Sequence, residues 1–361
     1  VGTLTVTENE NEIVVTTKHS SYTYDGLAHG TEVTVSNLPK GYSLDKATSS
    51  ATATDVTTAI EATCDTLVIK NAEGKDVTNN LKITKVPGSI TITPATLTVT
   101  TPSANKVYDG TPLTADGTIS GFVNKETATF TTTGSQTEVG NSKNTYSIKW
   151  NGTAKSTNYQ ISEAVGTLTV TEQTIDPGKD PDNPNPNYSG VTINKPSNSV
   201  YDGKEHKWSP AVTDKEGNAL VEGTDYEVAY STSDFRNVTG TITVTITGIG
   251  NYTGKVTRTY EITPKAYTVT TDSAKKVYDG TALTAGGKIE GIVSGETVEF
   301  TTTGSRTDEG TSKNTYSLKW NGSAIQTNYK LAKESIGDLT VTPKSIIPDE
   351  PDTPDDNAVP S

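Results

Sequence analysis

The sequence has no methionine and only one cysteine, Cys64, among its 361 residues. A single cysteine cannot form an internal disulfide framework, so packing and hydrogen bonds must hold the fold. Methionine and cysteine are the most readily oxidised side chains, and their scarcity suits an exposed, oxidising location. Because position 1 is Val and not Met, we expect the sequence to be a fragment of a longer protein.

The chain also has few apolar side chains and no long apolar run. Hydrophobic residues make up 31% of the sequence and aromatic residues 6%, most of them among its 16 tyrosines. This composition argues against one large core and favours several small cores, each needing few apolar side chains. The printed sequence shows no signal-peptide pattern and no stretch of about 18 apolar residues, so we expect no membrane insertion by this segment.

Positive charge is also in short supply. Lys and Arg together number 30 against 43 Asp and Glu, which gives a formal net charge of −13 at pH 7. An acidic chain is repelled by the phosphates of nucleic acids and of anionic lipid surfaces. We therefore expect neither nucleic acid nor a membrane as a partner.

Internal repeats, in contrast, are abundant. The pentapeptide KVYDG occurs at residues 106–110 and again at 276–280, and the sequence around it repeats at the same offset of 170 residues. These two copies define module type B. A second type, A, contains YDGLAH or YDGKEH, with a histidine five residues after the tyrosine, at His29 and His206. The opening octapeptide VGTLTVTE repeats at residues 165–172, where a type B module ends.

The repeats divide the chain into modules and polar connections. The connection TIDPGKDPDNPNPNYSG predicts a solvated spacer, with a bend between Thr174 and Asn187, whereas Pro94 and Ala95 alone separate two strands and predict a fixed joint. The predicted segments are the end of a truncated module at 1–12, module 1 (type A) at 13–95, module 2 (type B) at 96–173, the linker at 174–190, module 3 (type A) at 191–265, module 4 (type B) at 266–345 and a Pro/Asp-rich linker tail at 346–361.

The local patterns predict short strands. In NTYSIKW, Tyr146, Ile148 and Trp150 alternate with polar residues, and every module closes with a β-branched segment such as SITIT or TLTVT. No segment has a sustained helical period, although ATDVTTAIEAT in module 1 is compatible with one helical turn. The predicted fold class is all-β, an elongated tandem array of four small β-sandwich modules of the Ig-like kind.

We interpret the fourfold YDG tripeptide as a structural turn. Asp-Gly favours a tight turn, because Gly accepts a positive φ and Asp hydrogen-bonds nearby backbone amides. The preceding Tyr anchors the turn at the edge of a small core. A calcium loop needs several oxygen ligands at short spacing, and YDGTPLT offers one acid. The predicted turn residues are Tyr24, Asp25, Gly26, Tyr108, Asp109, Gly110, Tyr201, Asp202, Gly203, Tyr278, Asp279 and Gly280.

The repeated stretches KVYDGTxLT, FTTTGS, NTYSxKWNG and TNY together resemble the MBG/YDG-type repeats of large bacterial surface and adhesin-like proteins. The resemblance covers nearly all of residues 13–345 and is most specific in modules 2 and 4. It implies a cell-surface location and a stalk or adhesive role. The family has no defined catalytic residues to transfer.

No set of residues suggests catalysis. His19, His29 and His206 lie apart without a metal-binding spacing such as HExxH, and Cys64 has no nearby histidine. The glycine spacing of GIGNYTG does not match that of a dinucleotide loop, and a strand follows it. We therefore predict a protein that is not an enzyme, with no catalytic, cofactor-binding or metal site and no cofactor.

Three sharper interpretations stand beside simpler ones. Trp208, in KEHKWSPAV, is the one candidate surface aromatic for a glycan, against ordinary packing. Asp176, Asp180 and Asp182 are candidate calcium ligands in the linker, against a solvated spacer. A Lys–Asn cross-link, as found in some Gram-positive stalks, needs a lysine, an asparagine and an acid, and the candidates repeated in both type B modules are Lys106 and Lys276, Asn158 and Asn328, and Glu126 and Glu296.

The predicted function is a structural or adhesive repeat region, a stalk that projects a binding surface from a bacterial cell wall of the Gram-positive kind. The alternative is a carbohydrate-binding or spacer region of a secreted glycan-degrading enzyme. The expected partner is a host or environmental glycan or protein, whose identity the sequence leaves open, and the expected state is monomeric.

Overall fold

The computed structural model describes residues 2, 12–180, 183–184 and 190–346. The chain divides into two compact units, Val1–Gln173 and Thr174–Ser361. Within the described residues the regular structure is β-strand, joined by three short 3-10 turns at Thr78–Asn80, Ser156–Asn158 and Gln326–Asn328, so the predicted all-β class is confirmed. The predicted truncated module at 1–12 and the tail after Ile346 lie almost wholly outside the described residues.

Module 1 forms three small sheets, in the orders β3-β1-β7, β2-β8-β5 and β4-β6. The segment ATDVTTAIEAT, for which a helical turn was considered, contributes a strand, since its β-branched residues pair with β8. The strands of module 1 are β1 (Ile13–Thr17), β2 (His19–Thr23), β3 (Val33–Ser36), β4 (Ser43–Thr48), β5 (Thr57–Ala62), β6 (Thr66–Lys70), β7 (Ile83–Val86) and β8 (Gly88–Thr93).

Module 2 repeats this plan with sheets β11-β9-β15, β10-β16-β13 and β12-β14. Its first strand starts at Ala95, so Pro94 alone separates it from β8, one residue fewer than predicted. The strands are β9 (Ala95–Thr101), β10 (Ala104–Val107), β11 (Thr118–Ser120), β12 (Thr127–Thr132), β13 (Gly140–Lys143), β14 (Tyr146–Asn151), β15 (Tyr159–Val165) and β16 (Thr167–Thr171), and β17 (Gln173–Thr174) follows.

Module 3, in the second unit, has a four-stranded sheet in the order β21-β26-β24-β23 and a pair β20-β22. A short antiparallel pair, β18 (Lys179–Asp180) and β19 (Asn183–Pro184), precedes it. The strands of module 3 are β20 (Thr192–Ile193), β21 (Ser199–Val200), β22 (Val212–Thr213), β23 (Tyr226–Tyr230), β24 (Thr241–Gly248), β25 (Tyr252–Thr253) and β26 (Lys255–Thr263).

Module 4 has the same sheet plan as module 2, with the orders β29-β27-β33, β28-β34-β31 and β30-β32. The identical plan follows from the close sequence similarity of the two type B modules. Its strands are β27 (Lys265–Thr271), β28 (Ala274–Val277), β29 (Gly287–Glu290), β30 (Glu299–Thr302), β31 (Gly310–Lys313), β32 (Tyr316–Lys319), β33 (Tyr329–Ser335) and β34 (Asp338–Thr342).

The start and the end of a module lie side by side. In modules 1, 2 and 4 the two opening strands pair in parallel with the two closing strands, so that β9 pairs with β15 and β10 with β16. Both strands pass from one sheet to the next at the same level, where a glycine of the closing strand touches the opening strand. A Cβ at Gly88 would lie 2.3 Å from the Lys18 carbonyl oxygen, and one at Gly166 would lie 2.2 Å from the Pro102 carbonyl carbon.

The cores form on the inward faces of these strands. In β9, ATLTVTT, alternate residues are buried and exposed, because successive side chains point to opposite faces of a strand. Ile13, Val15 and Ile69 fill a small core in module 1, while Ile90, Ile92 and other residues form a second core that continues into module 2. Several small cores are what the low apolar content predicts.

The first residues of the predicted linker are part of the second unit. Ile175 is fully buried, and its amide donates to the Thr253 carbonyl oxygen at 2.8 Å. Pro177 and Gly178 are buried as well. The solvated-spacer prediction, with its bend, is therefore wrong for residues 174–178, because one isoleucine with a free strand edge beside it is enough to dock the chain. Residues 181–182 and 185–189 lie outside the described residues.

We expect Gly88→Ala to destabilise module 1 by about 1–3 kcal/mol, because its methyl group would overlap the Lys18 carbonyl where both strands change sheets. Gly30→Ala in the same module is the matched control, since a Cβ there would meet atoms only at 3.6 and 4.0 Å. Chemical denaturation of the full chain measures both. Equal stability of the two variants would show that the close approach does not constrain the fold.

Candidate functional site: the joint between paired modules

The four YDG turns share one backbone arrangement. The glycines have φ values of 75°, 75°, 80° and 77°, the left-handed region that the turn interpretation requires. Each tyrosine amide donates to the carbonyl of the last threonine of its own module, at 2.8 or 2.9 Å. The pairs are Tyr24 with Thr93, Tyr108 with Thr171, Tyr201 with Thr263 and Tyr278 with Thr342. The closing strand of each module therefore fixes the position of its tyrosine.

The turn aspartates have different partners in the two module types. In type A, Asp25 contacts His29 at 2.9 Å, and Asp202 contacts His206 at 2.8 Å. The amide of Leu27 and the imidazole of His29 hold the pKa of Asp25 below its usual range. In type B, the lysine of KVYDG takes this place, with the ammonium group of Lys106 2.6 Å from the Asp109 carboxylate.

The same lysine locks the type B turn from a second side. Lys106 also donates to the hydroxyl of Thr111 at 2.8 Å, and the Thr111 amide donates to Asp109 at 2.9 Å. These bonds lower the pKa of Asp109, the contact with Lys106 contributing most. Lys276, Asp279 and Thr281 repeat the arrangement in module 4. Both kinds of turn satisfy the aspartate locally, as the structural interpretation of YDG requires.

In unit 1, the type A tyrosine crosses into module 2. Tyr24 is only 4% exposed, and its hydroxyl donates to one carboxylate oxygen of Glu126 at 2.9 Å. The hydroxyl of Tyr159 donates to the other oxygen at 2.7 Å. Thr153 adds a longer bond of 3.3 Å to the first oxygen. One carboxylate is thus shared by two phenols, one from each module.

This carboxylate is costly to bury unless it is bonded. Glu126 is 8% exposed, and an unpaired carboxylate in such a place carries a large desolvation cost. The phenol groups offset that cost as donors. Burial, followed by the hydrogen bond to Glu126, raises the pKa of Tyr159 to about 12 and raises the pKa of Tyr24 as well. Both phenols therefore stay protonated, and remain donors, well above neutral pH.

A second polar cluster closes the joint of unit 1. Asn158 is fully buried, accepts a bond from the Val56 amide at 3.0 Å and donates to Asp55 at 2.8 Å. Lys155 contacts the other oxygen of Asp55 at 2.7 Å, and Lys155 and Asn158 together lower the pKa of Asp55. The buried bonds to the asparagine fix how module 1 is rotated against module 2. The exposed Lys155 ion pair contributes little by comparison.

Unit 2 repeats the joint with a different periphery. Tyr201 and Tyr329 both donate to Glu296, the latter at 2.5 Å. Asn328 accepts a bond from the Val238 amide at 2.8 Å, and it donates to Asn237, which stands where unit 1 has an aspartate. The centre, two tyrosines and a glutamate, is the same in both units. The ion pair at the rim is replaced by a neutral amide pair.

Aromatic packing surrounds each shared carboxylate. The rings of Tyr24 and Tyr159 meet edge to face, with centroids 5.5 Å apart, and Trp150 stacks on Tyr159 at 5.6 Å. In unit 2 the rings of Tyr201 and Tyr329 lie 5.6 Å apart, and Trp320 stacks on Tyr329. The predicted core role of Trp150 and Trp320 is thus played at the joint, where one apolar cluster spans both modules.

The turn glycines separate occupied YDG ends from open ones. A Cβ at Gly26 would lie 2.5 Å from the side chain of Asn124, and one at Gly203 would lie 3.1 Å from Val293. At Gly110 and Gly280 a Cβ would meet nothing within 4 Å. In type A the glycine is therefore required twice, for its φ and for the close approach of the next module. In type B it is required for φ alone.

The type B tyrosines differ accordingly from the predicted core anchor. Tyr108 is half-buried, and Tyr278 is 42% exposed. The four tripeptides are identical in sequence, so nothing within them distinguishes a buried tyrosine from an exposed one. What differs is whether another module packs against that end within the same unit.

The other candidate residues lie away from this centre or outside the described residues. Trp208 is half-buried and packs against the core of module 3, while Tyr230 donates to its carbonyl oxygen. Its ring nitrogen is buried without a hydrogen-bond partner. Asp176 accepts a bond from the Gly178 amide, Asp182 lies outside the described residues, and no side-chain structure is described for Asp180.

The cross-link candidates are not brought together. Lys106 bonds within its own turn, whereas Asn158 and Glu126 lie at the joint. Lys276, Asn328 and Glu296 are arranged in the same way in unit 2. Of the remaining singled-out residues, His19 contacts Ser89 and Cys64 is buried in the core of module 1.

Sequence reasoning missed Tyr159, Tyr329 and the joint role of the two glutamates. The signal was present as the repeated tripeptide TNY, which ends in these tyrosines and follows the 3-10 turn that places Asn158 and Asn328. It went unread because Tyr24 and Glu126 are 102 residues apart.

Two searches for other kinds of site returned nothing within the described ranges. No three His, Cys, Asp or Glu side chains come together there as a metal site would require. In the same ranges no helix is long and apolar enough to cross a membrane.

Comparison with known proteins supports the resemblance read from the repeats. Residues 97–169 match the family model of the MBG domain (YGX type), so the predicted MBG/YDG-type character is confirmed for this segment, which is nearly all of module 2. The match fits a repeat module of an extracellular protein. No curated protein matches the chain.

Several solved structures are similar at low level. Drosophila N-cadherin EC1-4 is 9% identical, with 94% of each chain covered and a TM-score of 0.21. The I9–I11 tandem of titin is 9% identical, covering 92% of this chain and all of that one, with a TM-score of 0.17. The Bacillus anthracis TIE protein is 10% identical, covering 94% of this chain and 75% of that one, with a TM-score of 0.20. These similarities are too remote to bear on function.

We expect Tyr24→Phe to destabilise unit 1 by about 1–3 kcal/mol, because it removes the shorter of the two bonds to one oxygen of a buried carboxylate. Tyr278→Phe is the matched control, an identical change in an identical tripeptide whose ring is exposed, and we expect an effect within about 0.5 kcal/mol. Hydrogen exchange of each unit in the full chain reports both values. If the two substitutions cost the same, the phenol–carboxylate bond does not hold the joint.

We also expect the joint to weaken at alkaline pH. Tyr159 loses its proton near pH 10 when unfolded and near pH 12 when folded, so the unfolded chain binds fewer protons between these values. The stability of unit 1 should be intact below about pH 10 and fall by about 2–3 kcal/mol as the pH rises towards 12. Denaturation midpoints across this range measure the fall. Tyr159→Phe should flatten the profile, and an unchanged slope would contradict the assignment.

Proposed function

We propose that this chain is a load-bearing repeat region, a stalk, of a large bacterial cell-surface protein that projects or contributes to an adhesive surface. The coarser part of this statement, an MBG-type repeat module of an extracellular protein, rests on the family match at residues 97–169. The finer part rests on how the modules are built to carry tension.

The observation that carries the proposal is the parallel pairing of opening and closing strands. In module 2, β9 pairs with β15 from Ala95↔Tyr159 to Thr101↔Val165, and β10 continues the pairing with β16. Tension along the chain enters at Ala95 and leaves at Thr171, at opposite ends of these paired strands. Such a pull shears the two strands past each other, so many backbone hydrogen bonds resist it together. Modules 1 and 4 have the same pairing.

The joints suit the same role. A stalk that bends at every module loses reach, and the shared carboxylate with its buried asparagine resists bending within a pair. The single residue Pro94 between β8 and β9 leaves few free dihedral angles. Each pair therefore behaves as one stiff segment that is two modules long.

A non-enzymatic role is part of the proposal. The residues that could serve in catalysis have structural partners, as in the contacts of His29 with Asp25 and of His206 with Asp202. The conspicuous acids, Glu126 and Glu296, bond tyrosines across the joints. We propose that the protein needs no cofactor and performs no turnover.

The surroundings of the protein follow from composition and from the resemblance. An acidic chain without methionine and with one buried cysteine fits an oxidising cell surface, and we propose the wall of a Gram-positive bacterium. Its ligand is a host or environmental glycan or protein, and the chain acts as a monomer. Trp208, the aromatic that favoured a glycan-binding module of a secreted enzyme, packs against a core, so we rank that alternative lower.

The shear geometry can be tested by pulling on one module in two directions. Cysteine handles at Thr96 and Thr171 load the terminal strands in shear, while handles at Thr96 and its register partner Gln160 separate them one bond at a time. All three positions are exposed, and both variants carry Cys64→Ala. We expect module 2 to unfold at several times higher force in the first geometry. Equal forces would contradict a load-bearing role.

A further inference from the structure

Two chain segments that follow the type B modules match in sequence but differ in exposure. Leu168 in β16 corresponds to Leu339 in β34, an offset of 171 residues. The same offset relates TIDP at residues 174–177 to SIIP at residues 345–348, so Ile175 corresponds to Ile346. Ile175 is 0% exposed, and Ile346 is 93% exposed. The first isoleucine has a binding place in the structure, and the second does not.

The binding place of Ile175 is the strand edge of a type A module. Its amide donates to the Thr253 carbonyl in β25, and its side chain is removed from water. Thr174 lies against Gly254, where a Cβ would come within 3.2 Å of the threonine hydroxyl. Asp176 then accepts a bond from the Gly178 amide and turns the chain away. The segment adds a backbone rung to an open edge and inserts one apolar side chain, the general form of β-strand addition.

We propose that residues 345–346 form a docking segment that binds the β25-like edge of a type A module in the way that residues 174–175 bind module 3. The partner is a type A module whose own edge is vacant, because in module 3 Ile175 already fills it. A type A partner, and not type B, follows from the match, since the equivalent isoleucine binds type A in this chain.

A second observation at the same end of module 4 points to a partner. The Tyr278 amide bonds Thr342, so this tyrosine lies beside the closing strand four residues before Ile346. The tyrosines at the same backbone position in type A modules, Tyr24 and Tyr201, are buried against the next module, whereas Tyr278 is 42% exposed. The end of module 4 therefore presents an exposed aromatic ring and an exposed isoleucine together.

The chemistry predicts a weak contact that becomes effective when it is tethered. One backbone bond and one isoleucine give little affinity between free molecules, and a short covalent connection raises the effective concentration of the segment to about the millimolar range. Residues 174–175 benefit from such a connection in this chain. We therefore expect a free peptide to bind at millimolar concentration.

The first test converts one segment into the other within the full chain. Because Ile175 and Pro177 are common to both, Thr174→Ser with Asp176→Ile is enough to write SIIP in place of TIDP. We expect the amide of residue 175 to stay protected from hydrogen exchange within about threefold of wild type, and Ile175→Asp to lose at least about tenfold.

The amides of Val244 and Ile246 in β24 report whether unit 2 remains folded in each variant. If Ile175→Asp unfolds the unit, Ile175→Ala takes its place in the comparison. Exchange in the SIIP variant as fast as in the Ile175 variant would overturn the proposal, because the segment would then be unable to dock.

The second test uses separate molecules. The full chain with Ile175→Asp offers a vacant edge, and a peptide of residues 343–350, PKSIIPDE, is titrated into it to millimolar concentration. We expect shifts of the Thr253 and Gly254 amide resonances, and none with the same peptide carrying Ile346→Asp. A peptide of residues 172–179 serves as the reference ligand. No shift with the 343–350 peptide overturns the proposal, whatever the reference ligand does.

Discussion

The arrangement of each module pair depends on one buried carboxylate that two tyrosines share across a joint. A charge so placed must be bonded on both oxygens, and no module supplies both phenols itself. Glu126 therefore requires Tyr24 at hydrogen-bond distance, which in turn requires a glycine at position 26 to admit the facing loop. The joint tolerates substitution at its rim, where Asp55 in one unit corresponds to Asn237 in the other. It repeats its centre unchanged.

The joint is also connected to the fold of the module that donates the tyrosine. The Tyr24 amide bonds the Thr93 carbonyl, and Thr93 is the last residue of the closing strand before Pro94 leads into module 2. The same strand holds the tyrosine, pairs with the opening strand and delivers the chain to its neighbour. Loss of terminal pairing in module 1 would therefore release the joint, so the two modules of a pair are expected to fail together under load or denaturant.

Periodicity and turn chemistry were sufficient to predict the all-β class and the positive φ of Gly26, because these depend on neighbours in sequence. Contacts between distant residues were not predictable. Identical tripeptides hide the difference between buried Tyr24 and exposed Tyr278, since that difference lies in a facing module 102 residues away. Ile175 was overlooked for a related reason: one apolar residue in a polar run carries no periodic signal, and its burial depends on a vacant edge elsewhere.

Because each joint is divided between two module types, the pair is the smallest piece of this chain that can be copied without leaving an incomplete joint. Duplicating module 1 alone would place a phenol against a face without its glutamate, and duplicating module 2 alone would bury Glu126 with one donor missing. The two copies present here are offset by 170 residues, the length of a pair with its linker. Recombination between such repeats would lengthen or shorten the gene in steps of that size. Heritable variation in reach among relatives would then come in whole pairs.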